Sequence, residues 1–288
     1  MRALANVSVV LGLSLPVVAA AAPNVEATGL DAIGLVGQPT RISAKFERKG
    51  LGPIQPDIAR AKVRFSLLDR RFTDLTDPDG VAEATISPVT SGVFPFLAKL
   101  IDSPSATPAR GTLYVVDRAR PLAVVDVDGT ISDLPSWRVV FRADRAKTYP
   151  GAPELLRDLA KTHQIVYLTA RDDHFAAVTR AFLARHSFPP GPVLFNRWGL
   201  LAASERDQLM PSNHGAFKLK QLETLKARGL NVTLGIGNAE TDATAYEAAG
   251  IKSCIRTSEP GEGATFRFTS YAQLRKKLVA DGVLKKTP

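Results

Sequence analysis

Leu122-Ala-Val-Val-Asp126-Val-Asp128-Gly129-Thr130 is the stretch on which the reading of this chain turns. An apolar run enters two carboxylates one residue apart, and a glycine and a threonine follow. Strand alternation sends the side chains of Asp126 and Asp128 to one side and Val127 to the other. A buried strand ending this way delivers both acids to the C-terminal edge of a sheet, where open α/β folds keep their ligands. One carboxylate can attack while the other moves a proton. Two like charges this close repel, so a Mg²⁺ ion is their natural partner. Gly129 permits the turn off the strand end.

Further apolar runs follow at intervals that helices fill. Ala152 to Lys161 has helical periodicity, with Pro153 and Glu154 in its first turn. Gln164-Ile-Val-Tyr-Leu-Thr169-Ala170-Arg171 is a second buried strand ending in a hydroxyl and a cation. Thr169 can donate to a phosphate oxygen, and Arg171 can reach a phosphate or a carboxylate. A helix is expected from Phe175 to His186, a third strand over 191–195, and a helix over 213–226 with its apolar stripe at 217, 219, 222 and 225. Lys218 or Lys220 on that helix can steady a phosphate, and spacing does not choose between them. Asn231 to Gly237 is a fourth strand, leading to Asn238 and Asp242, whose separation of four lets both face one point from a loop and a first helical turn. A metal that takes oxygen ligands fits there. A dinucleotide reading of Gly235-x-Gly237 fails, because Glu240 stands where a third glycine is needed. Ile251–Ile255 is the fifth strand and 270–280 a closing basic helix. Residues 131–150 form an insert that reads as a short flap over the site or a contact to the other domain, and 196–213 an irregular pocket rim.

The segment before residue 118 has a different texture. Period-two alternation in 41–47, 61–67 and 81–86, two further strands over 93–101 and 111–116, and turn signals such as Asp77-Pro78-Asp79-Gly80 argue an immunoglobulin-like β-sandwich. It holds no histidine and no catalytic cluster. The expected organisation is a signal peptide over 1–22, a β-sandwich over 23–118 and an α/β domain over 119–288. The leader reading rests on Arg2, an apolar run to Val18 and small residues at 19–22, and places the folded part in the periplasm or outside the cell. A net charge of +9 suits an anionic substrate or membrane surface, while no aromatic-plus-basic pattern or recognition helix supports nucleic acid. A single cysteine, Cys254, excludes an intrachain disulfide and reads as a buried strand residue.

Taken together, Asp126-Val-Asp128-Gly-Thr130, Thr169, a lysine on a later helix and the Gly237-Asn238…Asp242 loop resemble the haloacid dehalogenase superfamily of phosphotransferases. Tyr167-Leu-Thr169-Ala170-Arg171, Phe217-Lys218-Leu and Gly237-Asn238-Ala-Glu-Thr-Asp242 are similar to the catalytic domain of lipin-type Mg²⁺-dependent phosphatidate phosphatases. That resemblance implies an α/β Rossmann-like domain with a parallel sheet, and it selects Lys218 over Lys220. It also implies Asp126 as nucleophile and Asp128 as proton donor and acceptor. The phosphate is then bound by Thr169, Ala170, Arg171 and Lys218, and Mg²⁺ by Asp126, Asp128, Asn238 and Asp242. Three readings follow: a phosphatidate phosphatase, a phosphatase for soluble phosphomonoesters, or a phosphatidate-binding module without catalysis. The presence of both aspartates argues against the last.

Overall fold

The computed structural model describes residues 24–50, 55–134, 146–196, 214–261 and 263–285. The leader expected over 1–22, the middle of the flap at 135–145 and the rim at 197–213 lie outside the described residues.

The first half is built from β1 (Val25–Leu30), β2 (Ala32–Leu35), β3 (Thr40–Arg48), β4 (Lys62–Leu67), β5 (Arg70–Leu75), β6 (Val81–Ile86), β7 (Gly92–Leu100) and β8 (Ala109–Val116). They form two facing sheets, ordered β1-β3-β6 and β2-β8-β7-β4-β5. Pairing is antiparallel except between β2 and β8, so the leading strand starts in one sheet and crosses to the other, as in immunoglobulin-like sandwiches. Ile42, Phe46, Val63, Phe65, Phe96 and Leu113 fill the space between the sheets. Their alternation along each strand is what the period-two pattern encodes.

The second half follows after Val116 as β9 (Pro121–Val125), α1 (Ala152–Ala160), β10 (Gln164–Asp172), α2 (Ala176–Arg185), β11 (Val193–Asn196), α3 (His214–Ala227), β12 (Asn231–Gly237), α4 (Glu240–Ala248), β13 (Lys252–Arg256), β14 (Thr265–Phe268) and α5 (Tyr271–Ala280). Its sheet is wholly parallel, ordered β11-β10-β9-β12-β13-β14. The expected α/β architecture is therefore present, with one strand more than the sequence showed. β14 is only four residues long, and two of them, Phe266 and Phe268, turn onto the core beside Tyr271. Strand β9 is internal, with β10 and β12 on either side. The chain order reverses at β9 between those neighbours, which opens a crevice at their carboxyl ends. Cys254 lies in β13, buried, and burial pushes its thiol up to about 12, so it is chemically inert.

The two halves share one apolar cluster. Ile33, Leu35, Tyr114 and Val116 of the sandwich pack with Leu122, Val124, Leu225 and Tyr246 of the α/β half. Polar ties reinforce the joint. Arg180 donates to the Gly29 carbonyl at 2.7 Å and pairs with Asp31 at 3.1 Å. Arg228 donates to the Ile33 carbonyl at 2.7 Å. The sandwich is packed directly onto the α/β half. Among the described residues no helix is long and apolar enough to cross a membrane.

Candidate active site

Strand β9 ends at Val125, and the next residue, Asp126, still donates its backbone N–H to the Ile236 carbonyl at 2.9 Å. That bond fixes Asp126 at the crevice. The backbone then turns through Gly129 at φ 71°, and a Cβ there would stand 2.3 Å from the side-chain nitrogen of Asn238. Glycine is required twice over, by conformation and by space. The turn is clamped from outside by Arg256, which donates to the Gly129 carbonyl at 2.8 Å and lies on the Tyr149 ring at 3.8 Å. Tyr271 donates to the Thr130 carbonyl at 2.8 Å.

Asp126 is 4% exposed and has both oxygens engaged. Lys218 donates to Oδ1 at 2.7 Å, and the Thr130 hydroxyl donates to Oδ2 at 2.7 Å. Burial pushes its carboxyl up to about 6; Lys218 opposes the rise, while Asp242 and Asp128 add to it. Lys218 is likewise buried, and although burial alone would lower its proton affinity, the carboxylates of Asp126 and Asp242 hold it above the usual lysine range. The structure thus brings Lys218, and not Lys220, to the acids; Lys220 is exposed on the same helix.

Asp128 sits beside it, gripped by Arg171, whose Nε lies 3.0 Å from one oxygen and whose Nη2 lies 2.6 Å from the other. The remaining guanidinium nitrogen donates to Thr179 at 2.9 Å. Of the two acceptors the sequence allowed for Arg171, the structure supplies a carboxylate. Thr169 is fully buried, and its hydroxyl accepts the Arg171 N–H at 3.2 Å, which shapes the strand end. Ala170 lines the cleft directly.

Asp242 is engaged by donors of the protein itself. Its Oδ2 accepts the backbone N–H groups of Asn238 and Ala239 at 3.0 and 3.1 Å, and its Oδ1 accepts a short bond from Lys218. Both oxygens are spent on closing the loop at the start of α4 and on fixing the lysine. A Cβ on Gly237 would collide with this carboxylate at 2.5 Å, so the close fit depends on that glycine too.

Asn238 supplies the test of whether a cation fits. One terminal atom of its amide stands 2.9 Å from the Asp128 carbonyl oxygen and 3.3 Å from Asp126 Oδ2. With nitrogen in that position the amide donates to both oxygens and to Thr130. With oxygen there, three oxygens converge: a carboxylate, a main-chain carbonyl and an amide. The two separations from Asn238, 2.9 and 3.3 Å, lie near the edge, about 2.9 Å, of an octahedron with ligands at 2.0–2.1 Å. The donor set is hard and all-oxygen, as Mg²⁺ prefers. Asp126, the Asp128 carbonyl and Asn238 therefore fit the ion, with Asp242 behind them.

These groups open onto a cleft of about 280 Å³ also lined by Asp133, His214 and Thr241. Sequence reading passed over His214. Its signal was position: it lies four residues before Lys218, one helical turn away on the same face of α3. Burial, and then the Lys218 ammonium, hold its imidazole below the ordinary histidine range. A half-buried neutral imidazole at the cleft wall can accept or donate one hydrogen bond.

A model of the family described as LNS2 (Lipin/Ned1/Smp2) matches residues 100–258. No curated protein matches the chain significantly. Among solved structures, D,D-heptose 1,7-bisphosphate phosphatase from B. bronchiseptica, complexed with magnesium and phosphate, is similar at 13% identity and a TM-score of 0.41, covering 56% of this chain and 99% of that one. A haloacid dehalogenase-superfamily hydrolase from Geobacter sulfurreducens is similar at 16% identity and a TM-score of 0.37, covering 56% and 97%. The D00-D0 domain of intimin is similar at 15% identity and a TM-score of 0.25, covering 32% of this chain and 46% of that one.

Proposed function

The chain belongs to the LNS2 (Lipin/Ned1/Smp2) family, and from that premise we propose that it is a Mg²⁺-dependent phosphomonoester hydrolase working through an aspartyl-phosphate, with phosphatidate as its substrate. The observation that carries the reading is Asp126. It is a buried carboxylate at the crevice edge, steadied on one oxygen by Lys218 and on the other by Thr130, with Asp128 beside it.

In the proposed reaction Asp126 attacks phosphorus in line. The Asp126–phosphorus bond forms as the ester P–O bond breaks, and the proton on Asp128 passes to the leaving oxygen. Asp128 then takes a proton from water as the water oxygen attacks phosphorus and the bond to Asp126 breaks, releasing inorganic phosphate. Bound Mg²⁺ would supply charge neutralisation at the phosphoryl oxygens. Lys218 supplies a second positive charge from the protein itself, held by Asp242 at the right height. Arg171 fits two acceptors, the Asp128 carboxylate and a phosphate, with the same fork of nitrogens. Its transfer from Asp128 to the incoming phosphate would free Asp128 to carry its proton. Family membership and the all-oxygen set at Asn238 support the metal; the resemblance of the motifs to lipin-type enzymes supports the lipid. A location outside the cytoplasm remains part of this proposal and rests on the apolar leader.

Purified protein assayed with Mg²⁺ on phosphatidate in mixed micelles and on small phosphate esters tests it. Release of phosphate from phosphatidate is expected, with Asp126→Asn reducing turnover by about 10⁴-fold or more. Hydrolysis of small esters alone would remove the lipid from the proposal, and an active Asp126→Asn variant would remove the mechanism.

A further inference from the structure

One face of the β-sandwich carries charge that no ion pair among the described residues answers. In the β2-β8-β7-β4-β5 sheet, register places Arg64 opposite Lys99, Ser66 opposite both Arg71 and Leu97, Lys62 opposite Leu75, and Leu97 opposite Arg110. Cross-strand partners share a face. Lys62, Arg64, Arg71, Lys99 and Arg110 therefore stand together on the outer side, and all five are exposed. No acid occupies the paired outer positions of β4, β5, β7 or β8. Asp74, the acid of β5, faces the other way and accepts the Glu83 N–H of the opposite sheet. Among the described residues none of the five cations has an ion-pair partner. Setting Arg64 directly opposite Lys99 costs stability, so the arrangement calls for an outside counter-charge.

Aliphatic side chains are interleaved with this charge. Val93 is 57% exposed, Leu75 53% and Leu97 37%, all on the same face. Arg64, Ser66, Arg71, Leu97, Lys99 and Pro108 border a shallow hollow of about 240 Å³. Towards β8 the face ends at Tyr114, which is buried against the α/β half. No aromatic ring stands free on it, so it lacks the stacking platform that single-stranded nucleic acid uses. A flat surface of unpaired cations with exposed aliphatics matches an anionic bilayer, which meets the cations with headgroups and the aliphatics with its acyl boundary.

We propose that the outer face of this sheet docks the protein on an anionic phospholipid membrane through Lys62, Arg64, Arg71, Lys99 and Arg110. The docking does not depend on the phosphatase reading. If that reading holds, the face keeps the enzyme on the surface where its lipid substrate lies.

The test is co-sedimentation of the full chain with vesicles of phosphatidylcholine alone and with one-third phosphatidylglycerol. Binding is expected only to the anionic vesicles, weakening as salt is raised. Each cation near such a surface strengthens partition about fivefold, so Arg64→Glu with Lys99→Glu should weaken it at least about 25-fold. Lys220→Glu with Lys276→Glu, an equal charge change on exposed positions of the α/β half, should weaken it by less than about threefold. Thermal melting reports that both variants fold, and hydrolysis of a soluble phosphate ester reports separately on the site. Equal weakening in the two variants, no binding by the parent chain, or tight capture of a single-stranded oligonucleotide in place of vesicles would each overturn the proposal.

Discussion

The buried charges at the candidate site and those at the joint between the halves are built differently. At the candidate site Lys218 and Arg171 face Asp126, Asp128 and Asp242, and each carboxylate has named donors on its oxygens. At the joint between the halves Lys45 lies 3.0 Å from Glu47 and 3.7 Å from both Asp57 and Asp173, with Asp172 next to Asp173 in the chain. Burial pushes the carboxyls of Glu47, Asp57 and Asp172 upward, Asp172 to about 8, where the neighbouring Asp173 adds to the effect. Among the described residues Asp172 Oδ2 has no hydrogen-bond partner. The first cluster is balanced by its geometry, whereas in the second burial pushes several carboxyls toward holding their protons. Balanced charges at a crevice edge are fit for chemistry. Buried acids with raised proton affinity make the stability of the joint depend on pH.

That contrast can be broken most sharply at Lys218. Lys218→Met leaves Asp126 and Asp242 buried without their cation, an arrangement that costs about 3–5 kcal/mol of stability. Turnover should fall by about 10³-fold or more in a steady-state assay, since the lysine supports the attacking group itself. Lys45→Met is the matching change in the other cluster. Chemical denaturation should show a loss of about 3–5 kcal/mol as well, yet kcat of the folded fraction should stay at the parent value. A large fall in kcat there would erase the distinction between the two clusters. Arg171→Lys keeps the charge but removes the planar fork, so a fall in kcat of about 10- to 100-fold is expected, with a smaller loss of stability. Proton linkage should give the smallest effect. Because the folded-state value for Asp172 is raised, folding holds a proton between pH 3.8 and about 8 that the unfolded chain releases. Its contribution is full below that window and lost as pH rises through it. Asp172→Asn should therefore raise the melting temperature at pH 8.5 by a few degrees more than at pH 5.

How far the sequence carried this reading depends on the range of the interaction. Asp126, Asp128, Thr169, Asn238 and Asp242 were legible because each lies at a strand end or helix start marked by a local pattern of apolar run, glycine and polar residue. Their partners were not. Arg171 gripping Asp128 joins residues 43 apart, and Lys45 facing Asp173 joins residues in different halves, contacts that no local period encodes. The donors that meet Asp242 were not legible either, because spacing places a carboxylate without saying which donors reach it. His214 hid within a helix whose apolar stripe drew attention to other positions. Strand β14 was short enough to pass for a loop, though its alternation was present in Thr265-Phe-Arg-Phe268. The basic face shows the reverse case. Every residue was visible, but only register gathered them onto one side.

The core shared between the two halves has a consequence for the order in which the protein is made. Synthesis completes the sandwich first, and amino-terminal units fold first as they emerge. Ile33, Leu35, Tyr114 and Val116 are then on display with no partner, because Leu122, Val124, Leu225 and Tyr246 have yet to emerge. The growing chain carries an adhesive strip until almost all of the α/β half has followed. In that interval the strip is at once a template on which the first parallel strand can condense and the point at which a holding chaperone would be most useful.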